Sequence, residues 1–153
     1  MSEILVLVGC GGKKMEKREY SWRIYESDYF KKRMTLAMLL GDPAILSSKH
    51  GFLPVTERIE PYNEDLREKE NHEINSWALE VSNSIPDFYE DIVILAGKTY
   101  REPLKDILSE DGYKVYSPFE KDNIKGIGDQ ISWCKSGAKK IENGFNPKDF
   151  LVS

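Results

Sequence analysis

The chain has 153 residues, of which 40% are hydrophobic and 31% charged, and its formal net charge is -4. These values suit a single domain over residues 1–153 with a sizeable core and argue against indiscriminate coating of DNA. No apolar run approaches the ~20 residues needed to span a bilayer, and no signal peptide is visible, so no membrane association and a cytoplasmic location are expected.

Two cysteines, Cys10 and Cys134, make neither a disulfide framework nor a metal site. No metal and no cofactor is therefore expected. The charge is uneven: residues 13–33 carry eight basic and four acidic side chains, whereas 57–91 carry three basic and eleven acidic ones. Such segments are either solvated helix faces or a basic rim that steers a phosphate-bearing ligand.

In chain order, Ile4–Val8 is an apolar run of buried-strand length that ends at Gly9-Cys10-Gly11-Gly12-Lys13-Lys14. Glycines after a strand permit a tight turn and can present N–H groups to an anion. The spacing fits neither a Walker A loop nor a dinucleotide fingerprint. Cys10 is either a nucleophile favoured by its lysines or a packed thiol.

Ser27 is expected to cap a helix running to Leu40, with Phe30, Met34, Ala37 and Met38 facing the core. Gly41-Asp42-Pro43 ends that helix in a turn. The next strand, Ala44–Ser47, runs into Ser48-Lys49-His50-Gly51-Phe52-Leu53-Pro54, and Glu60-Pro61-Tyr62 follows. A buried strand that stops at hydroxyls, a lysine, an imidazole and a glycine marks a pocket.

Asn63 can cap a long acidic helix whose stripe is Ile74, Trp77, Ala78, Val81 and Ile85, with His72 on the surface. Asp91–Gly97 is the clearest strand. Thr99 and Glu102 have capping-box spacing for the helix after it, and Leu104, Ile107 and Leu108 form its inward side. Gly112 turns into a last strand, Tyr113–Tyr116, which stops at Ser117-Pro118. The final helix carries Ile127, Ile131, Cys134, Ala138 and Ile141 at helical period, with Gly144 as its stop and a docking tail at Phe145, Phe150 and Leu151.

Strands alternating with helices predict an α/β three-layer sandwich with a mainly parallel sheet of about four strands, near 3–8, 44–47, 91–96 and 113–116. Ligands of such sheets sit at the carboxyl ends of the strands. Cys10–Lys14, Ser47–His50, Tyr62 and Gly97–Arg101 are therefore expected to line one concavity. His50 is the acid–base candidate. Lys49 binds phosphate, tunes His50 or faces water, and Tyr62 stacks on a base, bonds a leaving group or is an edge aromatic. Cys10, Gly11, Gly12, Lys14, Tyr25, Ser47, Ser48, Gly97, Tyr100, Arg101 and Gln130 complete the expected ligand-binding set. No G-x-S-x-G elbow accompanies a Ser/His/Asp combination.

The order Val8-Gly9-Cys10, Lys14, Tyr25-Glu26-Ser27, Phe30, Leu46–Gly51, Glu60-Pro61-Tyr62, Leu95-Ala96-Gly97, Tyr100–Leu104, Gly126-Ile127-Gly128 and Gln130 resembles the small domain family related to YaaA, the peroxide-stress protein. That resemblance implies an α/β fold along nearly the whole chain. It brings nucleic-acid binding and oxidative protection into view and supplies no reaction.

The residues themselves suggest an enzyme acting on a nucleobase, a nucleotide or a base in nucleic acid, by N-glycosidic cleavage or base exchange. Its ligand would be a nucleobase- or phosphate-containing small molecule or a nucleic acid. The alternative is a non-catalytic nucleic-acid-binding or stress-response module with steep salt dependence. Oligomeric state is not legible.

Overall fold

A computed structural model describes residues 3–153. The residue 1–2 end of the expected single domain lies outside the described residues. Among these residues the central sheet has five strands in the order β4-β3-β1-β6-β7, and β2 and β5 form a separate two-stranded ribbon. The strands are β1 Ile4–Gly9, β2 Glu19–Tyr20, β3 Asp42–Ser47, β4 Gly51–Pro54, β5 Arg58–Ile59, β6 Asp91–Leu95 and β7 Lys114–Tyr116. The helices are α1 Ser21–Ile24, α2 Asp28–Leu40, α3 Asn71–Ser84, α4 Lys98–Glu110, α5 Gly126–Glu142 and α6 Pro147–Val152.

The central strand β1 pairs in parallel with β3 on one side and β6 on the other, and β6 pairs in parallel with β7. Its side chains alternate between two cores, as strand geometry requires. Ile4, Val6 and Val8 pack with Phe30, Met34 and Ala37 of α2 and with Cys134, Ala138 and Phe150. Leu5 and Leu7 pack with Trp77, Ala78 and Val81 of α3 and with Leu104 and Leu108 of α4. The chain is thus an α/β sandwich with helices on both faces of a mostly parallel sheet. The loop after β1 leads to the α2 layer and the loop after β6 to the α4 layer, so the gap between their carboxyl ends is a topological switch point.

Four elements depart from the sequence expectation. Gly51–Pro54 is a fifth strand, antiparallel to β3, with Ser47 opposite Gly51 and Ala44 opposite Pro54. Gly51 makes the return with φ +68°, a conformation glycine adopts without steric cost. Pro54 is tolerated because β4 is an edge strand. Asp42-Pro43 belongs to β3 rather than to a turn.

Asn63 caps nothing: a 3₁₀ turn at Leu66–Glu68 comes first, and α3 begins at Asn71 after Glu70. The capping box at Thr99 does not form either, because Gly97 is the N-cap of α4 and no side chain caps it. Ser27 does cap α2, its Oγ accepting from Phe30 N at 3.1 Å. Met38, Ile127 and Phe145, expected inward, are exposed. Each lies at or near the end of a helix.

Candidate functional site

Cys10 follows the last residue of β1, and its backbone N–H donates to Leu46 O at 3.0 Å, which ties it to the end of β3. Its thiol is half-buried and unpaired, and lies 3.7 Å from the Tyr100 hydroxyl. Tyr100 stands in the first turn of α4, and its hydroxyl also accepts from Leu66 N at 3.3 Å. Cys10 lies within electrostatic range of Lys14, Tyr25, Tyr62, Tyr100 and Arg33. It is the hub of the strand-end cluster.

The next layer is a chain of hydroxyls. Ser47, the last residue of β3, is buried. Its Oγ accepts from Lys49 N at 3.2 Å and from His50 N at 3.0 Å. Both lone pairs are then used, so the Ser47 proton must go to the Tyr62 hydroxyl 2.8 Å away. The Tyr62 and Tyr25 hydroxyls share a bond of 2.6 Å in which either phenol can donate, and the Tyr25 side chain is fully buried. Burial, then the neighbouring Cys10, raises the pKa of both Tyr25 and Tyr62. Both phenols stay protonated donors throughout the neutral range.

Lys14 sits over this pair, with Nζ 4.2 Å from the Tyr62 ring centroid and 5.7 Å from that of Tyr25. It also donates to Gly12 O at 3.1 Å. Burial lowers its pKa, while Cys10 and Asp65 pull it back up. On the other side, the His50 ring meets Tyr62 edge-on at 5.4 Å between centroids. Burial, and next Lys49, lower the His50 pKa from its ordinary value of 6.5, with Glu64 opposing. The imidazole is therefore biased toward its neutral, proton-accepting form at neutral pH.

These groups do not line one concavity as expected. His50 and Lys49 open onto a depression of about 630 Å³ that also includes Arg18, Glu57, Arg58 and Glu60. Lys14 lines a second one, of about 730 Å³, with Lys13, Met15 and Glu26. Tyr62 contacts His50 of the first and Lys14 of the second. The split arises because Ser47-to-Gly51 is a hairpin bend that carries Lys49 and His50 outward, while Cys10 and Lys14 stay over the sheet.

The remaining expected residues fall into two groups. Ser48 is buried and donates to Glu64 O at 2.6 Å, which anchors the segment carrying Tyr62. Nothing lies within 4 Å of where a side chain would extend from Gly12 or Gly97, so the backbone is open at both. Gly11 packs closer, 3.5 Å from Ser27 Oγ and Tyr25 Cβ by the same measure. Arg101 is not a free surface cation: it is 9% exposed, and Nη1 donates to Ala96 O at 3.0 Å. Gln130, on α5, accepts from the Tyr29 hydroxyl through Oε1.

Sequence reasoning missed Arg33. It is 2% exposed, donates from Nη1 to Leu95 O at 3.0 Å and stacks on the Tyr29 ring at 3.8 Å. A signal was present: Arg33 lies three residues after Phe30 and four before Ala37, on the inward face of its helix. Among the described residues, no group of three or more His, Cys, Asp or Glu side chains could hold a metal ion. No helix among them is long and apolar enough to cross a membrane.

Residues 5–136 match a family of unknown function, DUF6884, and the chain belongs to that family. No curated protein and no solved structure matches it.

Proposed function

We propose that this DUF6884 protein is a nucleobase-processing enzyme that releases or exchanges a base at an N-glycosidic bond. The observation that carries the reading is the hydroxyl cluster in which Ser47, held by the Lys49 and His50 amides, bonds the half-buried Tyr62 between the His50 ring and Lys14, with the buried Tyr25 hydroxyl behind it. A departing base takes the electron pair of its glycosidic bond and needs a hydrogen-bond donor at nitrogen or oxygen. Tyr62 supports that need, and Lys14 adds positive charge above its ring.

In hydrolysis, water attacks the anomeric carbon as the carbon–nitrogen bond breaks. His50, biased neutral, accepts the water proton and returns it to the released base. In exchange, an incoming base replaces water. The YaaA-like order of motifs forms part of the same proposal, as a kinship in fold.

The test is release of free base, followed chromatographically, from nucleosides, nucleotides and short oligonucleotides. Wild type should release base from at least one class, and Tyr62→Phe and His50→Ala should each lower turnover about 10²- to 10⁴-fold. Absence of release from every class, together with nucleic-acid affinity that grows with strand length and collapses with salt, would replace the enzyme reading by the binding module.

A further inference from the structure

Two buried guanidinium groups flank the carboxyl end of β6 from opposite layers. Arg33 of α2 donates to Leu95 O, and Arg101 of α4 donates to the next carbonyl, Ala96 O, each at 3.0 Å. Their charge is poorly balanced. Among the described residues, Arg33 makes no ion pair; its remaining bond is Nε to Tyr29 O at 3.3 Å, which leaves Nη2 without a partner. Arg101 Nε is buried with no hydrogen-bond acceptor. Its nearest carboxylate oxygen, Glu120 Oε1, is 3.7 Å away, and Glu120 is held more closely by Lys105 Nζ at 2.5 Å. Arg101 and Lys105 thus share one carboxylate, and Arg33 has none among the described residues.

A buried guanidinium N–H without an acceptor is costly, and the cost is removed when an anion supplies the oxygen. More donors converge there. Gln130 uses its oxygen to accept from Tyr29, so its amide N–H groups are left over. Gly97 leaves α4 without a side-chain cap; the Tyr100 and Arg101 amides bond Gly97 O, and those of Lys98 and Thr99 have no intrahelical partner. The space above Gly97 is open. By contrast Lys14 is engaged with Gly12 O and the Tyr62 ring.

We infer that the open space above Gly97, at the carboxyl end of β6, binds a phosphomonoester, with Arg33, Arg101, Gln130 and the α4 amides as its donors, and that the substrate is therefore a nucleotide rather than a free nucleoside. The planar guanidinium fork suits tetrahedral phosphate oxygens approached from two sides. The nucleotide part rests on the base-processing reading; the phosphate part does not.

The experiment is calorimetric titration of the full chain with a nucleoside, its 5′-monophosphate and inorganic phosphate, at matched ionic strength. The monophosphate should bind at least about tenfold more tightly than the nucleoside, and phosphate should compete with it. Arg101→Gln and Gln130→Ala should each erase most of that difference while leaving nucleoside affinity unchanged. Arg33→Lys keeps the charge and loses the fork, so it should retain only part of the preference. If Arg33→Lys does not fold, the other two variants decide.

Equal affinity for nucleoside and monophosphate, or full preference retained in both Arg101→Gln and Gln130→Ala, overturns the inference. Phosphate binding without base release supports this site and removes the base-processing reading. Base release with no phosphate preference does the reverse.

Discussion

Ser47 Oγ lies 2.8 Å from the Tyr62 hydroxyl while accepting two backbone N–H groups, and this one contact ties the hairpin bend to the phenol pair. A serine at the end of a buried strand organises its own hairpin bend and, with its remaining proton, orients a tyrosine fifteen residues away. Ser47→Ala should therefore act twice. Two amides lose their acceptor, so stability should fall by about 1–3 kcal/mol in urea denaturation. Tyr62 loses its donor, so any turnover should fall too. Tyr62→Phe should reproduce the loss of turnover with the smaller destabilisation of about 1 kcal/mol, because the amides keep Ser47. Equal stability of Ser47→Ala and wild type would remove the directional argument.

His50 supplies a pH prediction. Its folded pKa is lowered from 6.5, first by burial and then by Lys49. A depressed pKa means that the unfolded state binds the proton more readily. The contribution to stability is then present above the ordinary histidine range and is lost as pH falls through it. The same shift keeps the base neutral to lower pH, so the acid limb of turnover should lie below 6.5. Lys49→Ala should move the imidazole titration upward, measured by proton NMR with His50→Asn assigning the resonance. An unchanged midpoint would mean that Lys49 does not act on the ring.

Gly9 gives a packing prediction. A side chain there would extend to 2.9 Å from Arg33 Nη1 and 3.0 Å from Ala96 Cβ. Gly9→Ala must displace the guanidinium from Leu95 O or push β6 aside, and should cost about 1–3 kcal/mol. Arg33→Met removes the Nη1 contact. In a double-mutant cycle the two changes should be less than additive, with a coupling of about 0.5–3 kcal/mol. Additivity would place Arg33 elsewhere in solution.

Much of this was legible in the sequence, for reasons that differ by element. Ile4–Val8 and Asp91–Leu95 are continuous apolar runs, and only a strand buried on both faces needs them. The turn of glycine, lysine and hydroxyl residues at the strand ends could be read as converging because parallel strands all deliver their ends to one edge. β4 was not legible: Gly-Phe-Leu-Pro is four residues long and ends in proline, and only its edge position makes it a strand. Asn63 has the chemistry of a cap, yet the segment after it is fixed instead by Ser48 bonding Glu64 O and by Tyr100 accepting from Leu66 N. Arg33 was overlooked because a charged residue inside an apolar stripe is ordinarily assigned to solvent. Its place depends on carbonyls sixty residues away in sequence, at Leu95.

The two cysteines provide the last prediction, because the fold gives them opposite environments. Cys134 is fully buried between α5 and the sheet, and burial pushes its thiol up to about 12, with Arg33 opposing. Cys10 is half-buried at the strand edge, beside the Tyr100 hydroxyl and within electrostatic range of Lys14. Alkylation requires both thiolate and access, so iodoacetamide should modify Cys10 in the folded protein and leave Cys134 unmodified until urea unfolds the chain. Peptide mass spectrometry reads both sites in one sample. Because Cys10 is the hub of the phenol cluster, its carbamidomethyl adduct should abolish ligand binding, and bound nucleotide should in turn slow the labelling. Cys10→Ser separates two roles for the thiol: retained turnover assigns it to the wall of the pocket, and loss of turnover with unchanged ligand affinity assigns it to nucleophilic attack. Labelling of Cys134 at the same rate as Cys10 would contradict the burial of α5 against the sheet, and with it the seating of Gln130 beside Tyr29.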